Sequence, residues 1–199
     1  MPYLILIYAG GIAVTAGLAV ASGIVAKVFY LACCVALSVW SSRRNHWDYL
    51  LLTLWIAALT PFARRLVDLH AGWDATNIML MAPFLVAGPM IPAITQRIRT
   101  LDAGVVLFPG VVALCIFYGF VVTLLRGNLA PGLIGLADWG VPVVYYFFVV
   151  SHRDSVQALL ERLPHFVTAN MLLLGLYGVW QFIDPVSYTH LTLPTILRV

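Results

Sequence analysis

The sequence predicts an all-α protein, a polytopic bundle of about seven (six to seven) transmembrane helices. Of its 199 residues, 62% are hydrophobic and 10% are charged, and the mean hydropathy is +0.98. A soluble domain needs far more polar surface than this composition supplies. The apolar runs lack the alternation of membrane strands, and a helix satisfies its own backbone hydrogen bonds in lipid, so the spans are predicted to be helices.

Long apolar runs lie between clusters of charged residues at fairly regular intervals, and each run is assigned one span. The predicted spans are residues 3–21, 24–40, 49–62, 78–94, 103–125, 132–150 and 166–183.

The first two spans are separated only by Ala21-Ser22-Gly23, which is the best turn in this stretch, and Lys27 is assigned to the same turn. Small residues at a spacing of four follow one face of the first span, and such ridges let membrane helices pack closely. The ridge residues are Ala9, Ala13, Gly17 and Ala21.

Orientation follows from the distribution of Lys and Arg, because short loops that are rich in them stay in the cytoplasm. One set of alternate loops carries Arg43, Arg44, Arg97, Arg99, Arg153 and Arg162. The other set carries Lys27, Arg64, Arg65 and Arg126. The first set is larger, so the N-terminus is predicted to be cytoplasmic and Arg64 and Arg65 are predicted to face outward.

The linker of residues 151–165 is predicted to form a short amphipathic helix on the membrane surface. Its apolar face consists of Val156, Leu159, Leu160 and Leu163. Ser151 and Asp154 are predicted to cap its start, and Pro164 is predicted to end it before the last span.

The last residues differ in composition from the rest of the chain. Residues 185–195 are rich in Thr and resemble a sequencing adapter translated in frame. The native sequence is therefore expected to end near Asp184. Residues 1–184 then form the N-terminal half of a transmembrane helical domain, and residues 185–199 form a non-native tail in which His190 and Arg198 have no function.

The sequence lacks the motifs of several common kinds of functional site. It contains no metal-ligand spacing, phosphate-binding glycine loop or nucleophile elbow, so no metal and no cofactor is expected. The net charge of +3 is small and scattered, which does not favour nucleic acid as a partner. Three cysteines lie inside apolar runs and are interpreted as buried apolar residues: Cys33, Cys34 and Cys115.

The main candidate site is the predicted outer loop of residues 60–74. Arg64 and Arg65 break the usual sorting of positive charge, and their planar donors match phosphate oxygens. We therefore interpret them as candidate ligands of a lipid-linked pyrophosphate. In the alternative interpretation, Asp68 neutralises the pair within a short helix. His70 is expected to be an interfacial packing residue.

Asp68 is a further candidate substrate-binding residue, and so are Asp138, Tyr177 and Gln181, which lie near the predicted outer ends of later spans. Asp138 is predicted to cap the sixth span or to pair with Arg126 or with the two arginines of residues 60–74. Tyr177 and Gln181, near the end of the seventh span, suit either a sugar-binding platform or helix packing.

Three segments together resemble bacterial O-antigen ligases and polymerases, and more narrowly their exopolysaccharide polymerase-like members. The segments are residues 60–68 (TPFARRLVD) with Gly72-Trp73, residues 135–142 (GLADWGVP) and residues 176–182 (LYGVWQF). The resemblance covers residues 40–184.

The resemblance implies a multi-pass, metal-independent glycosyltransferase of the bacterial inner membrane. Such enzymes take a glycan from an undecaprenyl-pyrophosphate carrier and join it to a glycan or lipid acceptor on the periplasmic side. Membrane lipid and other polysaccharide assembly proteins are the implied partners, and Arg64 and Arg65 the implied phosphate ligands. The family's main functional loop lies in the second half of its chains, so this chain alone is expected to be inactive.

Two other functions stay open from the sequence: a transporter of lipid-linked glycan and a non-catalytic membrane scaffold. Ion-coupled carriers keep ionisable groups near the middle of the membrane, and none is predicted there. The sequence that follows Ile183 in the uninterrupted gene separates the three hypotheses. A long outer loop with Arg and His and about five further spans indicates the enzyme, an inverted repeat of the spans indicates the carrier, and an early stop indicates the scaffold.

Overall fold

A computed structural model describes residues 2–72, 74 and 78–183, and only the backbone of residues 2, 100 and 180–183. This part of the chain is almost entirely helical and contains no strand, as predicted. The α-helices are α1 Pro2–Ala21, α2 Gly23–Ser42, α3 His46–Ala71, α4 Ala82–Ala87, α5 Met90–Arg97, α6 Ala103–Leu125, α7 Leu129–Ser151 and α8 Val156–Ile183. Residues 185–199, the predicted adapter-like tail, lie outside it.

Six segments are long and apolar enough to cross a membrane: α1, α2, α3, Ile78–Arg97, α6 and α7. A multi-pass membrane protein is therefore the architecture of this chain. The predicted seventh span, residues 166–183, is helical within α8, which is not one of the six. The chain divides into two compact units, one ending at Leu160 and the other beginning at Glu161.

The turn between α1 and α2 lies where the sequence predicted it, with Ser22 as the N-cap of α2. A Cβ atom added to Gly23 would lie 2.6 Å from the Cβ of Ala71, so the start of α2 packs directly against the end of α3. The assignment of Lys27 to this turn was wrong. Because α2 begins immediately after Ser22, Lys27 lies within the helix and is buried.

The predicted packing ridge of α1 was also wrong, because all of its residues are exposed: Ala9, Ala13, Gly17 and Ala21. The opposite face is buried instead, through Leu4, Tyr8, Ile12, Thr15 and Ala19. Small and apolar residues occupy most of α1, so its composition does not distinguish the two faces. The hydroxyl of Tyr8 does, because it requires a hydrogen-bond partner away from lipid.

A chain of hydroxyl groups joins α1, α2 and α3 in the core. The Tyr8 and Tyr30 hydroxyls are 2.8 Å apart, and the Tyr30 hydroxyl is 2.8 Å from Thr60 Oγ1. Thr60 Oγ1 donates to the carbonyl of Ile56 at 2.6 Å. Each hydroxyl has one proton, so Tyr30 donates to Thr60 and Tyr8 donates to Tyr30. The chain satisfies three buried donors without water.

The predicted continuous span of residues 78–94 is broken in its middle. A 3-10 turn at Ile78–Met81 leads into α4, and α4 and α5 are separated at Gly88-Pro89. Gly88 is the C-cap of α4 and Pro89 is the N-cap of α5, a position where the missing proline N–H costs no hydrogen bond within the helix.

The linker before α8 differs from the prediction at both ends. Ser151 is the last residue of α7 rather than a cap, and a 3-10 turn at Arg153–Ser155 precedes α8. Pro164 does not end the helix, because α8 continues through it to Ile183. A proline removes one N–H donor, so α8 loses a single hydrogen bond there and stays continuous.

Candidate functional site

The candidate arginines lie on the last turns of α3, not in a loop. The predicted span ended at residue 62, but α3 runs through Pro61 to Ala71. Ala63 and Val67 are 1% and 0% exposed and belong to the core formed with α1 and α2. Their burial favours continuing the helix past the charged residues, so Arg64 and Arg65 are held on a rigid element.

Arg64 donates hydrogen bonds to two neighbouring acceptors. Its Nε donates to Asp68 Oδ2 at 3.2 Å, and its Nη2 donates to the backbone carbonyl of Asp74 at 2.9 Å. The Asp68 side chain is 5% exposed. The alternative interpretation, in which Asp68 neutralises the arginine pair, is therefore correct for Arg64: the carboxylate four residues further along the helix neutralises this guanidinium.

Lys27 belongs to the same site, although sequence reasoning had placed it in a turn. Its Nζ lies 2.6 Å from Asp74 Oδ2, and the two side chains are 11% and 36% exposed. The pair joins α2 to the segment that follows α3. The signal available in the sequence was one charged residue within about forty apolar ones, the usual mark of a functional or paired group in a membrane protein.

Arg65 differs from Arg64 because its Nε is buried and has no hydrogen-bond partner within the described part of the chain. We call Lys27, Arg64, Arg65, Asp68 and Asp74 the cationic cluster. Asp68 pairs with Arg64 and Asp74 pairs with Lys27, so Arg65 is the surplus positive charge. An anion bound by the Arg65 guanidinium would balance this surplus charge.

His70 lies next to the cluster at the end of α3. Its side chain is exposed, and Nδ1 is 2.9 Å from the carbonyl oxygen of Leu66 on its own helix. This placement agrees with an interfacial residue rather than a buried base.

Asp138 does not occupy the predicted position. It is exposed in the interior of α7, whose N-cap is Asn128, because the helix begins earlier than the predicted residue 132. In the described chain Asp138 forms no ion pair with Arg126 or with the arginines of the cluster. Its predicted roles as a cap and as an ion-pair partner were wrong, and its role as a substrate-binding residue stays a prediction.

Tyr177 and Gln181 belong to the second compact unit. Tyr177 is half-buried on α8, and the side chain of Gln181 lies outside the described residues. The sugar-binding platform stays a prediction.

A second set of polar side chains lies at the other end of α3, in the compact unit that ends at Leu160. The sequence did not predict this set. The ring centroids of His46 and His152 are 4.4 Å apart with the ring planes tilted by 33°, and Arg97 Nη1 donates to the carbonyl of Ser151 at 3.0 Å. Trp47 Nε1 donates to Ser155 Oγ at 3.1 Å. These contacts join the start of α3 and the end of α5 to the end of α7 and the residues that follow it. Within the described ranges no three His, Cys, Asp or Glu side chains are grouped to hold a metal ion.

Comparisons with protein families, with curated proteins and with solved structures give no match to this chain. Function is therefore inferred from the cationic cluster and from the sequence. Two helix-held guanidinium groups and one ammonium group at a helix end form a site suited to phosphate oxygens.

Proposed function

We propose that this chain is the N-terminal part of a polysaccharide polymerase or O-antigen ligase of the bacterial inner membrane. The enzyme transfers a glycan from an undecaprenyl-pyrophosphate carrier to an acceptor on the periplasmic side. The observation that carries the proposal is Arg65, a surplus cation with a buried and unmatched Nε in the cationic cluster. With the N-terminus in the cytoplasm, the end of α3 that bears this cluster faces the periplasm.

The reaction requires positive charge close to the pyrophosphate of the carrier, because this group departs from the glycan. An acceptor hydroxyl attacks the anomeric carbon, the new C–O bond forms, and the bond from this carbon to the pyrophosphate oxygen breaks. Negative charge then develops on the departing pyrophosphate, and fixed cationic donors stabilise it most when they need no rearrangement. The proton of the acceptor hydroxyl passes to a base that we expect outside residues 1–184.

The cluster divides this task between its two arginines. Arg65 donates to the pyrophosphate and is the substrate-binding residue. Arg64 is a positioning residue, since its donors already hold Asp68 and the Asp74 carbonyl. The pair therefore acts asymmetrically, whereas the sequence suggested two equivalent phosphate ligands.

The test uses the uninterrupted reading frame, expressed in a bacterial host that lacks the polymer. Arg65→Gln is expected to lower glycan transfer by about 100-fold, measured from the mobility of the glycan product in gels. The matched control is Arg99→Gln, which removes an exposed arginine beyond α5 and is expected to leave transfer unchanged. Arg64→Ala combined with Arg65→Ala is expected to abolish polymer while membrane insertion persists. Normal polymer from Arg65→Gln contradicts the proposed function.

A further inference from the structure

Asp74 bridges two cations that come from different helices. Its Oδ2 lies 2.6 Å from Lys27 Nζ on α2, and its backbone oxygen accepts a 2.9 Å hydrogen bond from Arg64 Nη2 on α3. Two oxygens of one residue thus hold an ammonium and a guanidinium together. A phosphate group with two free oxygens offers the same pattern of acceptors.

The two partners of the ion pair differ in exposure. The Lys27 side chain is 11% exposed, whereas the Asp74 side chain is 36% exposed. Lys27 is fixed within α2, next to the fully buried Ala26. The carboxylate is therefore the more accessible partner of the pair, and Lys27 is the more firmly held one.

We propose that Asp74 is an internal competitor for the carrier, and that the diphosphate displaces its carboxylate from Lys27 on binding. This inference rests on the proposed function and adds Lys27 to the substrate-binding residues. The exchange is non-covalent: the carboxylate turns to solvent while phosphate oxygens take its place on Nζ. When no diphosphate is bound, Asp74 neutralises Lys27, so the protein does not hold an uncompensated buried charge.

The exchange also selects the ligand. Any anion must compete with a carboxylate that is already in place, so weakly charged ligands gain little from binding. A diphosphate carries more negative charge than the phosphodiester of an ordinary anionic lipid, and the attraction to Lys27 increases with that charge. Asp74 therefore discriminates against abundant phosphodiester lipids, a specificity achieved by competition rather than by added contacts.

The experiment uses the whole chain in nanodiscs of phosphatidylcholine, a lipid without net charge, and farnesyl diphosphate as the probe, titrated by calorimetry. Asp74→Asn is expected to bind the probe about 10-fold more tightly, because the competitor is neutral. It is also expected to gain binding of phosphatidylglycerol, which the unaltered chain binds weakly. Inorganic pyrophosphate, titrated in parallel, separates binding of the charged group from binding of the lipid tail.

Lys27→Gln is expected to weaken farnesyl diphosphate binding by about 10-fold. In the Lys27→Gln background, Asp74→Asn is expected to leave the affinity for farnesyl diphosphate unchanged. The matched control is Asp102→Asn, which removes one negative charge from the exposed pair with Arg153. It should leave binding unchanged. Asp74→Ser, which keeps the backbone acceptor for Arg64, replaces Asp74→Asn if that variant does not fold.

The outcomes separate the two proposals. If the folded, unaltered chain and Asp74→Asn both fail to bind farnesyl diphosphate, the proposed function and the displacement fall together. If the unaltered chain binds the probe and Asp74→Asn binds it equally or more weakly, then Asp74 only positions Lys27. That result overturns the displacement and leaves the proposed function standing.

Discussion

The hydroxyl of Tyr49 donates a hydrogen bond of 2.7 Å to the carbonyl oxygen of Val86, just before the break between α4 and α5. Ser38 Oγ donates to the same oxygen at 2.9 Å. Both donors are almost fully buried and come from two other helices, α3 and α2. Irregular backbone is tolerated at membrane depth only where the protein satisfies its polar groups. The break is therefore a fixed part of the fold.

Tyr49→Phe is expected to lower the free energy of unfolding by about 1 kcal/mol, because Val86 loses one of its two hydroxyl donors. Reversible unfolding in mixed detergent micelles measures the change. Tyr146→Phe is the control: its hydroxyl donates to the carbonyl of Val105 at 3.2 Å from an exposed position, and its removal should cost less.

Removal of both donors extends the same test. Ser38→Ala combined with Tyr49→Phe is expected to cost more than the two single changes added together, because only the double variant leaves the buried carbonyl without a hydroxyl donor. Strict additivity would show that the carbonyl does not depend on these hydroxyls.

Gly23→Ala is expected to destabilise the protein by about 1 to 3 kcal/mol, since the added methyl group would lie 2.6 Å from the Cβ of Ala71. Backbone, not a flexible side-chain end, would have to move. Gly17→Ala is the matched control on α1, where an added Cβ meets nothing within 4 Å. Thermal unfolding in detergent should separate the two, and equal midpoints would exclude close α2–α3 packing at Gly23.

Asp68→Asn is expected to lower the free energy of unfolding by about 1 to 3 kcal/mol, because Arg64 would lose its buried counter-charge. Asp102→Asn removes the carboxylate of a pair whose side chains are 52% and 72% exposed, and exposed pairs contribute about 1 kcal/mol or less. Unfolding in mixed micelles compares the two variants. A larger loss for Asp102→Asn would contradict the structural ranking of these ion pairs.

The predicted orientation is testable by cysteine labelling in a variant whose native cysteines are replaced by alanine. His70→Cys, at the exposed end of α3, is expected to react with a membrane-impermeant maleimide in intact spheroplasts. Arg99→Cys, beyond α5, is expected to react only after permeabilisation. The reverse pattern would place the cationic cluster in the cytoplasm and remove the proposed docking of a periplasmic substrate.

Sequence reasoning succeeded where charged residues bound an apolar run on both sides. The span predicted for residues 103–125 coincides with Ala103–Leu125, which lies between Asp102 and Arg126. It failed at α3, because the charged residues Arg64 and Arg65 were taken to mark a loop that follows the span. Those residues share the helix with the buried Ala63 and Val67, so packing overrides the local signal.

Composition and hydropathy by themselves determined that this is a helical, multi-pass membrane protein, since transfer into lipid depends on each segment's own residues. Only the tertiary structure decided which face of α1 is buried, that Lys27 lies inside α2, and that it pairs with Asp74, 47 positions away in the chain. Apolar side chains suit lipid and protein interior equally well, so hydropathy does not choose between helix faces. The choice is made by the few hydroxyl and charged groups that must find partners in other helices.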